Sequence, residues 1–218
     1  MPPDIPYTVR RSTRARRVRV NVRADARVEV ILPARAPERS AAAAVSELRP
    51  WILRRLAEAH GALEHVARRG AAVPYLGATL QLRPVAGRQR VHREGERLLV
   101  PDGDPRPALE RWYRRRARLE VAPRLDRASA LAGTPYRDLT IRAQRTRWAS
   151  CSASGRMSFN WRLLLAPESV LDYVVWHEVC HLQVLDHSPR FWALLEHYSP
   201  HYRQDRDWLR RHGATLVL

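Results

Sequence analysis

Val175-Trp176-His177-Glu178-Val179-Cys180-His181-Leu182 places two histidines four residues apart, with a glutamate directly after the first. On an α-helix, positions i and i+4 sit one turn apart on one face, so the two imidazoles can grip a single cation from the same side. Glu178 follows His177 by about 100° around a 3.6-residue helix, which sets it beside the cation without making it a ligand. A carboxylate there can take a proton from a metal-activated water, the chemistry that H-E-x-x-H serves in zinc hydrolases. The plainer alternative is a solvated surface helix. The flanks oppose it: Leu171, Val174, Val175, Val179 and Leu182 are apolar at helical spacing, so the segment packs into a core. Two imidazoles and a carboxylate carried into a core need something to satisfy them.

A catalytic zinc takes three protein ligands and leaves its fourth position to water. His187, six residues after His181, is the favoured third ligand. Asp186-His187-Ser188-Pro189 reads as a helix end followed by a new start, with Ser188 able to cap and Pro189 suited to the first helical position. Asp186 and Glu196 are the rivals. Asp186 can alternatively orient a ligand imidazole, and Glu196, on the next apolar-faced helix, would give a His-His-Glu set.

The whole chain bounds these readings. Its 218 residues suffice for one buried core, or a core with a small appendage. No apolar run approaches the ~20 residues that span a bilayer. Met1-Pro2-Pro3-Asp4 is followed by no apolar stretch, so no secretory signal is expected. Cys151 and Cys180 are the only cysteines, which fits a reducing, cytoplasmic setting better than a disulfide framework. The net charge is +17, and every lysine-or-arginine position is Arg. A surface this basic attracts phosphate polymers, and Arg14, Arg16, Arg17 and Arg19 form one cluster. The same arginines serve equally as an ordinary solvated face, and the aromatic–basic alternation of a stacking platform is missing.

Along the chain, Val18, Val20 and Val22, then Val28, Val30 and Leu32, alternate with polar residues around a turn at Ala24-Asp25-Ala26, which predicts a β-hairpin. Residues 38–49 read as a helix, and Pro50 starts or kinks a second through about Ala67 with Trp51, Leu53, Leu56 and Leu63 as its apolar stripe. Short strands are expected at 79–85 and 98–100. Pro101-Asp102-Gly103-Asp104-Pro105 is the clearest break. A long helix follows from Pro107 to about Leu131, with Pro123 inside it. Leu139–Arg142, 146–152 and 157–161 read as strands, the last two joined through Ser154-Gly155. Pro167-Glu168 opens the motif helix. Tyr198 and Tyr202 on the last helices are candidate oxyanion donors, with packing as the alternative.

Three stretches together resemble the YgjP-like metallopeptidase family, relatives of the SprT-like and WLM proteases. They are His177-Glu178-Val179-Cys180-His181-Leu182 with His187-Ser188-Pro189-Arg190-Phe191-Trp192, the run Thr146-Arg147-Trp148-Ala149-Ser150-Cys151-Ser152, and Asn160-Trp161-Arg162-Leu163. Tyr173-Val174-Val175 fits the same family, and Val9-Arg10-Arg11-Ser12 and Pro50-Trp51-Ile52 are weaker matches. Ala149 stands where the family usually has Gly. The resemblance implies an α+β, zincin-like domain in which the motif helix packs on a small antiparallel sheet, with an N-terminal β-hairpin and helix portion. It also implies zinc on His177, His181 and His187, and Glu178 as general base.

The expectation is therefore a cytoplasmic zinc hydrolase acting on protein or peptide, another divalent metal being an alternative to zinc. Residues 1–104 would form an N-terminal β-rich and helical portion and residues 105–218 the catalytic portion of one integrated domain. Arg147, Trp148, Ser150 and Asn160 are the candidate substrate-binding residues, near a sheet edge that can take a peptide as an added strand. Arg147 and Asn160 can equally hold a loop by hydrogen bonds. Two other functions keep parts of this reading: a metal-dependent nucleoside-triphosphate pyrophosphatase, and a basic nucleic-acid-binding protein with a structural zinc. No glycine-rich phosphate loop supports the first, and no tight cysteine pair supports the second. The oligomeric state has no signature in the sequence.

Overall fold

The computed structural model describes residues 4–23, 25–144 and 146–218. Met1-Pro2-Pro3, and Ala24 from the turn expected at Ala24-Asp25-Ala26, lie outside them. The chain is mixed α/β: six α-helices and three small mixed sheets occur among the described residues. They fall into two compact units, residues 1–68 and 69–218.

In the first unit, β1 (Tyr7–Ser12), β2 (Arg19–Val22) and β3 (Val28–Pro33) form a sheet in the order β1-β3-β2. The expected hairpin is the β2–β3 pair, with Val20 opposite Val30. Val28, Val30 and Leu32 alternate inward and are buried, as period-2 patterning requires. Helices α1 (Arg39–Glu47) and α2 (Arg49–Arg69) follow. Of the stripe expected on α2, Leu53 and Leu63 are exposed. The buried anchor is Ile52, flanked by the partly buried Trp51 and Leu56.

The second unit holds two further sheets. The strands β4 (Ala72–Tyr75), β5 (Ala78–Val85), β6 (His92–Glu94) and β7 (Arg97–Pro101) lie in the order β4-β5-β7-β6. The long helix α3 (Arg106–Ala132) contains Pro123 and ends on Gly133, whose φ of 65° is the left-handed cap that glycine supplies without a Cβ penalty. Then come β8 (Asp138–Arg142), β9 (Ala149–Cys151) and β10 (Arg156–Asn160), ordered β8-β10-β9. A short 3-10 turn, Trp161–Leu165, leads to α4 (Glu168–Cys180), α5 (Pro189–Tyr198) and α6 (Tyr202–His212). The core of this unit runs from Val73 to Leu216 and so continues across Pro101–Pro105, which is an ordinary loop inside one unit.

All three sheets share one plan. A strand is followed by a hairpin, and the second strand of the hairpin inserts beside the first strand, parallel to it: β1 with β3, β5 with β7, β8 with β10. The sheet next to α4 is therefore mixed, which corrects the antiparallel sheet expected from the sequence. Passing over one position reverses the chain twice, so β8 and β10 must run the same way. No helix among the described residues is long and apolar enough to cross a membrane.

Candidate metal centre

α4 is buried on most of its circumference: Val170, Leu171, Val174, Val175, Val179 and Cys180 are all within the core. It packs against α3, β9, α5 and α6. Arg124 of α3 ion-pairs with Glu168 and, at 2.9 Å, with Asp172, fixing its outer face. His177 and Glu178 lie in its last turn and His181 is the residue that ends it. The chain then reverses through Leu182 to Val184, whose N–H groups donate back to the Val179 and Cys180 carbonyls at 2.9–3.1 Å.

This reversal sets the second imidazole. His181 Nδ1 lies 3.0 Å from the Val184 carbonyl. A carbonyl only accepts, so Nδ1 carries the proton and Nε2 keeps its lone pair. Four residues on from Val184, the Ser188 N–H donates to Asp186 Oδ1 at 3.2 Å. Ser188 stands in the capping position of α5, but its hydroxyl makes no cap bond, and the Asp186 carboxylate steadies the turn instead. His187 is thereby folded back over α4.

His177, His181 and His187 present ring nitrogens that all lie within 4.8 Å of one another. His187 Nε2 is 3.1 Å from His177 Nε2. Two nitrogens bound at ~2.0–2.1 Å to one tetrahedral zinc stand about 3.3 Å apart, so this spacing fits a shared ion. Burial pushes the His177 pKa down to about 3, helped by the charges of His181 and His187, and His181 is lowered by burial as well. Neutral imidazole is the form that ligates. The two rivals for the third place are committed elsewhere: Asp186 to the Ser188 N–H and Glu196 to an ion pair with Arg203.

Glu178 is 5% exposed. The backbone N–H of Cys151, on β9, bonds to its carboxylate, and Oε2 is buried without a hydrogen-bond partner. Burial pushes its pKa up to about 8, against the pull of that N–H and of the Arg147 charge. The arrangement is a carboxyl poised to exchange a proton, one residue away from a three-nitrogen cluster.

Phe191 is fully buried, and its ring centroid is 4.5–5.0 Å from all three imidazoles, so it floors the cluster. Trp192 stacks on His187 at 5.5 Å, Tyr202 stacks on Trp192, and Arg206 sits 5.0 Å over the Trp192 ring. Tyr198 stacks on Trp176 at 4.5 Å. The two tyrosines are thus packing partners here. Phe191 and Trp192 belong to the stretch that carries the family resemblance, but nothing in their spacing from the histidines foretells this aromatic frame.

The candidate substrate-binding residues divide. Arg147 is close enough to act on Glu178. The Trp148 ring packs beside Gly213, where a Cβ would come within 2.9 Å of it. Asn160 is 2% exposed and spends its side chain inside the protein: Nδ2 donates to the Gln144 carbonyl at 2.8 Å, and Oδ1 accepts from the Arg162 N–H at 3.2 Å. It holds the loop before β9. Ser150 turns away from Glu178 and pairs with Ser158 at 2.8 Å.

A β9 edge faces the cluster. Asn160 N–H donates to the Trp148 carbonyl, and Ser152 N–H to the Arg156 carbonyl, while Ser150 sits opposite Ser158. Residues 148, 150 and 152 therefore point their backbone groups at β10, and by alternation Ala149 and Cys151 point theirs outward.

The crystal structure of the metallopeptidase zymogen of Pyrococcus abyssi abylysin is similar at 24% sequence identity, over 41% of this chain and 90% of that one, with a TM-score of 0.38. No curated protein matches the chain. The family model described as YgjP-like, metallopeptidase domain, matches residues 16–212. With nearly its whole length covered by that model, the chain belongs to the YgjP-like metallopeptidase family.

Proposed function

We propose that the chain is a zinc-dependent metallopeptidase that cleaves a peptide bond in an extended segment laid along β9. The observation that carries this reading is the convergence of His177, His181 and His187 on one point, with the Glu178 carboxyl in the same helical turn. Three nitrogen donors leave a fourth position open, the ligand count of a catalytic zinc. No fourth His, Cys, Asp or Glu joins the cluster among the described residues, which argues against a closed structural site. The ligand set, the helix and the neighbouring sheet edge together give the chain a zincin-like catalytic portion within residues 105–218.

A bound divalent ion supplies a water reactive near neutral pH and a positive charge for the carbonyl oxygen. The chain's own groups do the rest. Glu178 takes the proton of the attacking water on its unpartnered Oε2 and delivers it to the leaving amine nitrogen. The Cys151 N–H holds the other half of the carboxylate in place. The outward N–H and carbonyl of Ala149 and the outward carbonyl of Cys151 pair with the substrate backbone, as an edge strand accepts an added one. Arg147 and Trp148, immediately before β9, lie where the segment enters.

Wild type and Glu178→Gln, each loaded with zinc, should be given unstructured protein and nucleoside triphosphates side by side. The reading expects peptide cleavage by wild type and its loss in the variant with zinc retained. Pyrophosphate release without proteolysis would replace the substrate, and full activity in the variant would remove the base.

A further inference from the structure

The β8-β10-β9 sheet has a second face, turned away from Glu178. A hollow of about 610 Å³ opens there, of a size that takes a small molecule. The strand register explains its chemistry. Thr140, Ser158 and Ser150 are direct neighbours across the three strands, so their hydroxyls form one row. Arg142 lies two residues along β8 from Thr140, on the same face, and Arg156 lies two residues before Ser158 on β10. Arg137, just before β8, completes the rim. Met157 is the one apolar residue in the lining.

The donors here exceed what the protein uses. Arg156 is paired with Asp138, at 3.9 Å. Arg137 and Arg142 have no ion-pair or hydrogen-bond partner through their guanidinium groups among the described residues. Ser150 and Ser158 share one hydrogen bond at 2.8 Å, which leaves one of their two protons free, and the Thr140 hydroxyl is unengaged. Two free forks and at least two free hydroxyls face a single space whose one acid, Asp138, has Arg156 beside it. That is the donor set of a phosphate group, which takes bidentate arginine and short hydroxyl bonds together. No aromatic ring lines the hollow, so a base would find nothing to stack on.

We propose that this face of the sheet is a binding site for a phosphate-bearing anion, contacted through its phosphate oxygens by Arg137, Arg142, Thr140 and the Ser150–Ser158 pair. The site is independent of the metal and of the reaction assigned to it. It is also back to back with that centre: Ser150 and Ser152 border the hollow, while Cys151 between them bonds to Glu178.

The phosphate can belong to a small free anion or to a nucleic-acid backbone, and two probes separate them. Calorimetric titration with pyrophosphate and with a twelve-residue oligothymidylate, at one fixed ionic strength, reads both. The comparison is between Arg137→Ser/Arg142→Ser and a charge-matched control, Arg111→Ser/Arg115→Ser, which removes two exposed arginines from α3. The sheet-face double should lose at least tenfold in affinity for one of the probes while the control stays within twofold of wild type. Loss for pyrophosphate assigns a small phosphorylated ligand; loss for the oligonucleotide alone assigns a backbone. Equal losses in both doubles would reduce the effect to the net charge of +17 and overturn the site, as would no binding of either probe by wild type. Single Arg142→Gln, with thermal unfolding recorded alongside, guards against a misfolded double and should show a smaller loss in the same direction.

Discussion

His177 Nε2 and His187 Nε2 stand 3.1 Å apart, although ten residues and a reversal of the chain separate them. Two lone pairs at that distance gain nothing from each other without a proton or a cation between them. Removing either imidazole leaves a two-nitrogen site. His187→Ala is expected to lose most of its zinc, and mass-spectrometric metal content at equal protein concentration checks this. Glu196→Gln, which touches a rival held by Arg203, should keep stoichiometric metal.

Glu178→Gln keeps the shape and removes the exchangeable proton. Peptidase activity should fall by ~10²–10⁴-fold, the usual share of a general acid–base group, with metal content unchanged. Steady-state cleavage of an unstructured substrate, beside metal analysis of the same sample, provides the measurement.

The same variant makes a prediction about the metal-free protein. Burial raises the Glu178 pKa from about 4.5 to about 8, so the folded state holds its proton more tightly than the unfolded one. The resulting stability is fully present below pH 4.5 and is lost as pH rises toward 8, by up to about 1.4 kcal/mol per pH unit. Glutamine carries no such charge. The melting temperature of metal-free Glu178→Gln should therefore exceed that of the metal-free wild type at pH 8, with the gap closing toward pH 5. Melting curves across that range in the presence of chelator test the sign.

Phe191 supports all three rings at once. Phe191→Ala opens a cavity beneath them and should cost ~3–5 kcal/mol of stability, with metal affinity reduced as well. Phe191→Leu, which keeps much of the volume, should recover most of both. Chemical denaturation and competitive zinc titration read the two effects separately.

Gly155 turns β9 into β10 with φ at 73°, and a Cβ there would lie 3.4 Å from the Arg137 amide. Gly155→Ala should cost ~1–2 kcal/mol from the backbone alone. Because the hairpin carries Cys151, activity should fall more than stability does, as kinetics on the folded variant would show.

What the sequence disclosed followed the strength of its local patterns. The motif helix was legible because apolar spacing and the two histidines obey the same 3.6-residue period, and Ser188-Pro189 marked the next start. The β2–β3 hairpin was legible by alternation. β1 was not: its side chains are mostly exposed, and its parallel partner is twenty-one residues away. β4 hid behind Pro74, which reads as a break but is tolerated on an edge strand. The stripe on α2 was misplaced because Leu53 and Leu63 are as apolar as the Ile52 that anchors it. The bond from Cys151 to Glu178 had no signature at all, since a backbone N–H belongs to every residue type but proline. For the same reason Asn160 left two roles open until its partners were located.

If a substrate lies along β9 as proposed, the brevity of that strand sets the terms on which it is held. Three residues offer two that face outward, and one of the outward N–H groups is already engaged by Glu178. So slight a handhold would grip only the links of chain flanking the bond to be cut. An enzyme built this way would read little of its target beyond that point, and would act on whatever stretch has already come unravelled.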